Sequence, residues 1–272
     1  MMKRLMLLVT VTILAGALCS GAWAGDTLKD VKKRGVLRVG VKDLTPGFGF
    51  VDMQSGEIKG YDVDFAQAIA KKLGVKLELW VVTDAERLEY LKAGKVDLIA
   101  ATLTRTPERA KEIAFSHVYF VTGQKFLVRK GTVKGLYDLD HKIIGTSMGS
   151  TSIHNAKKAL PNASIITYED SSQAFFALRQ GEIFAVTSDE AILAGMLARA
   201  PDKMWYEIPD IRISSEPYAL GIRKGDRAFL NIVNHTLLEM ERKGEAKKIF
   251  DRWFGPGSSA PMKRSFKITA KK

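Results

Sequence analysis

Three threonines spaced by two, then a proline and an arginine, end an apolar run at Ala100-Ala101-Thr102-Leu103-Thr104-Arg105-Thr106-Pro107-Glu108-Arg109. Proline suits the first turn of a helix, where its missing N–H leaves no bond unmade. Thr102 and Thr104 alternate to one side of an extended segment. Their hydroxyls, the free amides of the helix start and the Arg109 guanidinium then converge on one small volume. Helix-start amides and a planar guanidinium both favour a bound carboxylate. The set does little toward breaking a bond, so it favours capture over catalysis.

Two other segments carry similar chemistry. Gly149-Ser150-Thr151-Ser152 opens a helix with free amides and hydroxyls. It lacks the spacing and the Lys-Ser/Thr ending of a phosphate-binding loop. Asp189 follows the apolar stretch Ile183 to Thr187, where a carboxylate is poorly solvated unless paired. It either caps the helix that starts at Glu190 or meets a cationic partner. In Gly47-Phe48-Gly49-Phe50 one aromatic ring either roofs the aliphatic part of a guest or packs in the core. Histidines 117, 141, 154 and 235 are scattered without ligand spacing, so neither a metal site nor a cofactor is expected.

The elements that position these residues alternate strand and helix. Val36 to Val41, Leu77 to Val82 and Val96 to Ala101 read as strands, with helices over 62–73 and 85–93. The second half repeats the order: strands at 143–145, 165–168 and 183–187, helices at 150–160, 172–180 and 190–200. Leu91 to Val96 matches Leu178 to Ile183 in type, each a helix end, a glycine and an apolar strand. Two α/β units of this kind bind ligands beyond the carboxyl ends of their strands. Two such edges facing each other make a cleft. The chain leaves the first unit near 119–128 and returns near 216–223, and helices over 228–243 and 245–254 pack back on it.

Residues 1–24 read as an export signal: Lys3 and Arg4, an apolar run from Leu5 to Leu18, and Ala22-Trp23-Ala24 as the cleavage site. Leu18 is too large to precede a lipidated cysteine, which favours soluble export over a lipid anchor. Cleavage removes Cys19, the only cysteine, so stability rests on the apolar core. The net charge of +12 becomes +10 without Lys3 and Arg4. The basic residues are spread out rather than gathered in a stripe with aromatics, which argues against nucleic acid.

Gly60-Tyr61-Asp62-Val63-Asp64-Phe65-Ala66-Gln67-Ala68-Ile69-Ala70, Thr104 to Arg109 with Ala114-Phe115-Ser116, Gly149-Ser150-Thr151, and Gly244-Glu245-Ala246 to Trp253-Phe254 together resemble the periplasmic polar amino-acid binding proteins of ABC importers, solute-binding protein family 3. The resemblance covers the mature chain. Thr83-Asp84-Ala85-Glu86-Arg87 and Val39-Gly40-Val41-Lys42-Asp43 look most like the glutamate/aspartate-binding group.

The resemblance implies a two-lobed periplasmic-binding-protein (Venus flytrap) fold of the α/β class. Residues 25–121 with 219–272 would form lobe 1, residues 122–218 lobe 2, with two crossover hinge segments. It implies Arg109, Thr102 and Thr104 on a ligand α-carboxylate, completed by Ser150 and Thr151, and Asp189 on the α-ammonium. Lys42 and Arg87 would hold a side-chain carboxylate. Lysine where the group commonly has arginine is less directional, and Glu86 beside Arg87 would trim the positive charge.

The expected partners are a free L-amino acid, most simply glutamate or aspartate, and an inner-membrane ABC permease. The protein would work as a periplasmic monomer and not as an enzyme. A neutral polar ligand such as glutamine, a basic amino acid, a dehydratase-like enzyme on the same scaffold, and a sensory module are the alternatives.

Overall fold

In the computed structural model, which describes residues 26–270, the chain builds two five-stranded sheets, each flanked by helices. The expected export signal, residues 1–24, lies outside the described residues.

The first lobe runs α1 (Thr27–Arg34), β1 (Val36–Val41), a small antiparallel ribbon of β2 (Leu44–Thr45), β3 (Gly49–Val51) and β4 (Ile58–Lys59), then α2 (Tyr61–Leu73), β5 (Lys76–Val81), α3 (Arg87–Lys92), β6 (Leu98–Ile99), α4 (Pro107–Glu112) and β7 (Ile113–Thr122). The second lobe takes β8 (Gln124–Arg129), β9 (Ile143–Ser147), α5 (Ser152–Ala159), β10 (Ser164–Tyr168), α6 (Ser171–Gln180), β11 (Ala185–Asp189), α7 (Glu190–Arg199) and β12 (Tyr206–Glu207). The chain then returns through β13 (Glu216–Arg223) and ends in α8 (Arg227–Arg242) and α9 (Glu245–Phe254).

The sheet orders are β5-β1-β6-β13-β7 and β10-β9-β11-β8-β12. In each, three parallel strands are joined by one antiparallel strand adjacent to a crossover, β13 in the first and β8 in the second. The crossovers are short. Glu216 pairs with Thr122 in the first sheet and Asp189 with Gln124 in the second, so the hinge abuts the ends of the strands. Residues 216–218 belong with the first sheet, slightly ahead of the boundary expected at 219.

Local chemistry explains the helices. α2 buries Tyr61, Phe65, Ala66, Ile69 and Ala70 on one face, and carries Asp62 and Asp64 in its first turn and Lys71 and Lys72 in its last, which complements the helix dipole. The glycine stops recur at Gly94 and Gly181, both left-handed, and each feeds the third parallel strand of its sheet, β6 or β11. Phe48, Tyr61, Phe120, Tyr218, Phe250 and Phe254 form an aromatic core under the first sheet. The basic tail is a strap on this core: Phe266 packs 5.2 Å from Phe120, and Arg264 pairs with Glu241.

Two expected elements are shorter than their apolar runs. The strand over 96–101 pairs only at Leu98 and Ile99, and the helix over 85–93 spans Arg87–Lys92. The backbone leaves the strand path at Thr102, whose φ of 47° lies in the left-handed region.

Candidate functional site

The carboxyl ends of the parallel strands of both sheets face each other, as open α/β sheets place their ligand crevices. Asp84, Arg87, Thr102, Thr104 and Arg109 come from the first lobe; Ser150, Thr151, Ser152, Ser188, Asp189 and Ile192 come from the second. They enclose a cavity of about 20 Å³, the scale of one water molecule. A guest as large as an amino acid is admitted only when the lobes part. A wider pocket of about 620 Å³ shares Thr104 and Thr151 with it and is lined also by Glu216, which accepts from both threonine hydroxyls.

Arg109 sits in the first turn of α4, which Thr106 caps by accepting the Arg109 N–H. Its guanidinium donates to the Thr104 carbonyl in its own lobe and to the Gly149 carbonyl of the other lobe, both at 2.9 Å. Burial, and then the nearby Arg87 charge, lower its pKa to about 10, against the pull of Asp84, Glu216 and Asp189. It remains cationic at neutral pH.

Asp189 is 5% exposed and does not cap α7. Its Oδ2 accepts from the Tyr218 hydroxyl; its Oδ1 is buried with no hydrogen-bond partner among the described residues. Burial, and then the Glu216 charge, raise its pKa to about 7, although the Tyr218 hydrogen bond lowers it. A buried carboxylate oxygen without a donor is costly, and an ammonium in the cleft would supply that donor.

The strained backbone at Thr102 has a visible cause. Its N–H donates to Asp62 Oδ2 at 2.9 Å, while Arg87 takes the carbonyls of Ala101 and Thr102 at 2.6 and 3.0 Å. Asp62 also accepts from the Tyr119 hydroxyl. Burial raises Asp62 to a pKa of about 6 against these hydrogen bonds. A left-handed β-branched residue costs on the order of 1–2 kcal/mol, so Asp62 and Arg87 hold the segment in a shape it would not take alone.

Glu216 joins the lobes at the hinge. Its Oε2 accepts from the Thr104 hydroxyl at 2.7 Å and the Thr151 hydroxyl at 2.8 Å; its Oε1 accepts from Asn155 at 2.9 Å and from Ser214. Ser150 donates instead to the Ser147 carbonyl.

Arg87 lines the cavity and Lys42 does not, and both carry a partner that the sequence did not reveal. Both are buried, and both are paired with Asp84 Oδ1, Lys42 at 3.2 Å and Arg87 at 3.1 Å. Ser147 of the other lobe donates to Asp84 Oδ2. Burial pushes Asp84 up, but the two cations and the Ser147 hydroxyl outweigh it and hold the carboxyl well below the usual range. Glu86 does not trim the charge on Arg87: its carboxylate accepts from the backbone and hydroxyl of Thr83. Phe48 does not roof the cleft. It is fully buried, 4.9 Å from Phe120 and 5.6 Å from Tyr218, and reaches the site only by supporting the ring whose hydroxyl holds Asp189.

The structure thus brings Arg87, Thr102, Thr104, Arg109, Ser150, Thr151 and Asp189 to one cavity, with Lys42 behind it and Phe48 in the core. Sequence reasoning passed over Asp84, Asp62, Tyr218 and Glu216. Asp62 and Asp84 stood inside quoted motifs, and Glu216 is an acid opening an apolar strand; each was a signal without a visible partner.

The family model for bacterial extracellular solute-binding proteins, family 3, matches residues 37–256. The chain is 37% identical over 234 residues to the ABC transporter glutamine-binding protein GlnH of Bacillus subtilis (strain 168), covering 84% of each chain. It is 32% identical over 245 residues to the glutamate/aspartate import solute-binding protein of Escherichia coli (strain K12), covering 85% of this chain and 80% of that one. Among solved structures it resembles a mutant of ArgBP from T. maritima, with a TM-score of 0.78, 33% identity, and 84% of this chain and 98% of that one covered. With a match that spans both lobes and the cleft between them, the chain belongs to family 3 of the bacterial extracellular solute-binding proteins.

Proposed function

We propose that this protein is the exported receptor of an ABC importer and captures a free L-amino acid between its lobes. The observation that carries the reading is a pair of opposite charges on one cavity: Arg109 from the first lobe, and Asp189, with a buried oxygen lacking a donor, from the second. A zwitterion answers both. Its carboxylate meets the guanidinium, and its ammonium meets Asp189. Both relatives named above are transport binding proteins, in line with capture without chemistry. Cleavage after Ala24 would release a periplasmic monomer that delivers its ligand to an inner-membrane permease.

The ligand's side chain would face Arg87 and Asp84, with Lys42 behind them. The expectation of glutamate or aspartate rested on two cations free to meet a carboxylate. Both are paired with Asp84, whose carboxylate shares the lining of the cavity with Arg87. A net-neutral amino acid with a polar side chain, glutamine first, therefore fits better than an acidic one, and the glutamine-binding relative points the same way.

Asp189, buried with a pKa near 7, also meets the requirement for a general acid. The second reading is accordingly a dehydratase-like enzyme on the same scaffold. Calorimetric titration of the wild type against the common amino acids, with recovery of the ligand, separates the two. Receptor function predicts a roughly micromolar Kd, near −8 kcal/mol, and an unchanged ligand. Arg109→Ala should weaken binding on the order of a hundredfold, within the 2–5 kcal/mol range for truncating a buried charge partner; unchanged affinity would refute the clamp.

A further inference from the structure

Resting on that reading, we infer that Asp84 is the residue that sets specificity: it is a resident carboxylate that occupies the cationic end of the cleft and leaves there the complement of a side-chain amide.

The argument is a count of donors and acceptors. A guanidinium has five N–H groups. Arg87 commits three: Nε to the Asp84 carbonyl at 3.2 Å, and Nη1 to the Ala101 and Thr102 carbonyls; Nη2 forms no hydrogen bond among the described residues and lies 3.1 Å from Asp84 Oδ1 as an ion pair. Nη2 is the nitrogen left to donate to a guest. Lys42 is 4% exposed, does not line the cavity, and points its ammonium at the same Oδ1, 3.2 Å away. Asp84 Oδ2 accepts from the Ser147 hydroxyl of the facing lobe, and a carboxylate oxygen has two lone pairs.

Arg87 and Asp84 both line the cavity. Through Arg87 Nη2 and Asp84 they present a donor and an acceptor side by side. A primary carboxamide offers an acceptor and a donor in return. A ligand carboxylate offers two acceptors, one of which would lie against the Asp84 carboxylate, and like charges in a poorly hydrated site repel.

The same geometry says what happens without Asp84. Lys42 and Arg87 would be two buried cations lacking a counter-charge, a costly state that a ligand carboxylate relieves. The substitution should therefore create affinity for glutamate as well as remove affinity for glutamine.

The test is calorimetric titration of the wild type, Asp84→Ser and Asp84→Asn with L-glutamine and L-glutamate near neutral pH, with melting curves in parallel. The wild type should prefer glutamine by at least tenfold, and Asp84→Ser should reverse the preference. Glutamate should also raise the melting temperature of Asp84→Ser more than glutamine does. If both ligands bind and their ratio is the same in all three proteins, or if the wild type prefers glutamate, the assignment is overturned while the receptor reading stands. If the wild type binds no amino acid, the receptor reading itself fails.

Lys42→Gln keeps the proposal exposed if the Asp84 variants do not fold. Because Lys42 serves Asp84, its removal should shift the glutamate-to-glutamine ratio less than threefold. A selective loss of glutamate affinity of tenfold or more would show that Lys42 holds the ligand, and would overturn the assignment.

Discussion

A carboxylate that must meet an ammonium works only when ionised, and Asp189 is held near pH 7 by burial and by the Glu216 charge. The sign follows from linkage. Its native pKa lies above the ordinary value near 4, so the free protein binds the extra proton and gains its stability below that ordinary value. The gain is lost as pH rises through about 7. An ammonium reverses the preference, since only the ionised carboxylate pairs with it. Amino-acid affinity should therefore rise with pH by up to about tenfold per unit below 7 and level off above it, and Asp189→Asn should bind weakly with no such slope. Titrations at pH 5.5, 6.5 and 8 in buffers of different ionisation enthalpy read both the slope and the proton released. A flat profile in the wild type would contradict the pairing. Arg109 and Asp189 were legible as types in context, a guanidinium after strand-end threonines and an acid after an apolar strand. Asp84 was not, because whether an acid neutralises Lys42 or points to solvent depends on where two other segments fold.

Among the elements, α7 carries a testable contact. A Cβ built on Gly195 would lie 2.4 Å from the Pro46 carbonyl oxygen in the facing lobe. Gly149 is similarly close to the backbone of Ala85 and Asp84, and its φ of 80° favours glycine as well. The two positions separate closure from folding. Alanine within a helix is worth about 0.8–1.0 kcal/mol over glycine, so Gly195→Ala should leave the ligand-free melting temperature equal or higher. The same methyl should hold the lobes apart and weaken ligand binding at least tenfold. A variant that binds as well as the wild type would show that the closed arrangement is not the binding one. The elements themselves were mostly readable: α2, α6 and α9 follow their apolar faces, and Gly74, Gly94 and Gly181 end helices where expected. β6 was overextended because the turn at Thr102 is imposed by Asp62, 40 positions earlier in the chain. No local pattern encodes a bend whose acceptor sits on another helix.

At the scale of the molecule, two sheets of the same order meet through two short crossovers, and the groups that would grip a ligand also tie the lobes. Arg109 reaches Gly149, Ser147 reaches Asp84, and Glu216 gathers Thr104, Thr151 and Asn155. Opening would break these bonds, and closing on a ligand would re-form some of them around it, so a ligand would shift the balance only by what it gains in the shut state. The two-lobed plan was visible in the repeated strand–helix order. The closeness of the lobes was not, since it rests on glycines meeting backbone across the cleft. The most direct check on the whole account is a crystal structure grown with L-glutamine. The account predicts the ligand between the lobes, its carboxylate on the Arg109 guanidinium and its ammonium within about 3 Å of Asp189 Oδ1. A ligand bound elsewhere, or lodged in the cleft with its ammonium away from Asp189, would contradict it.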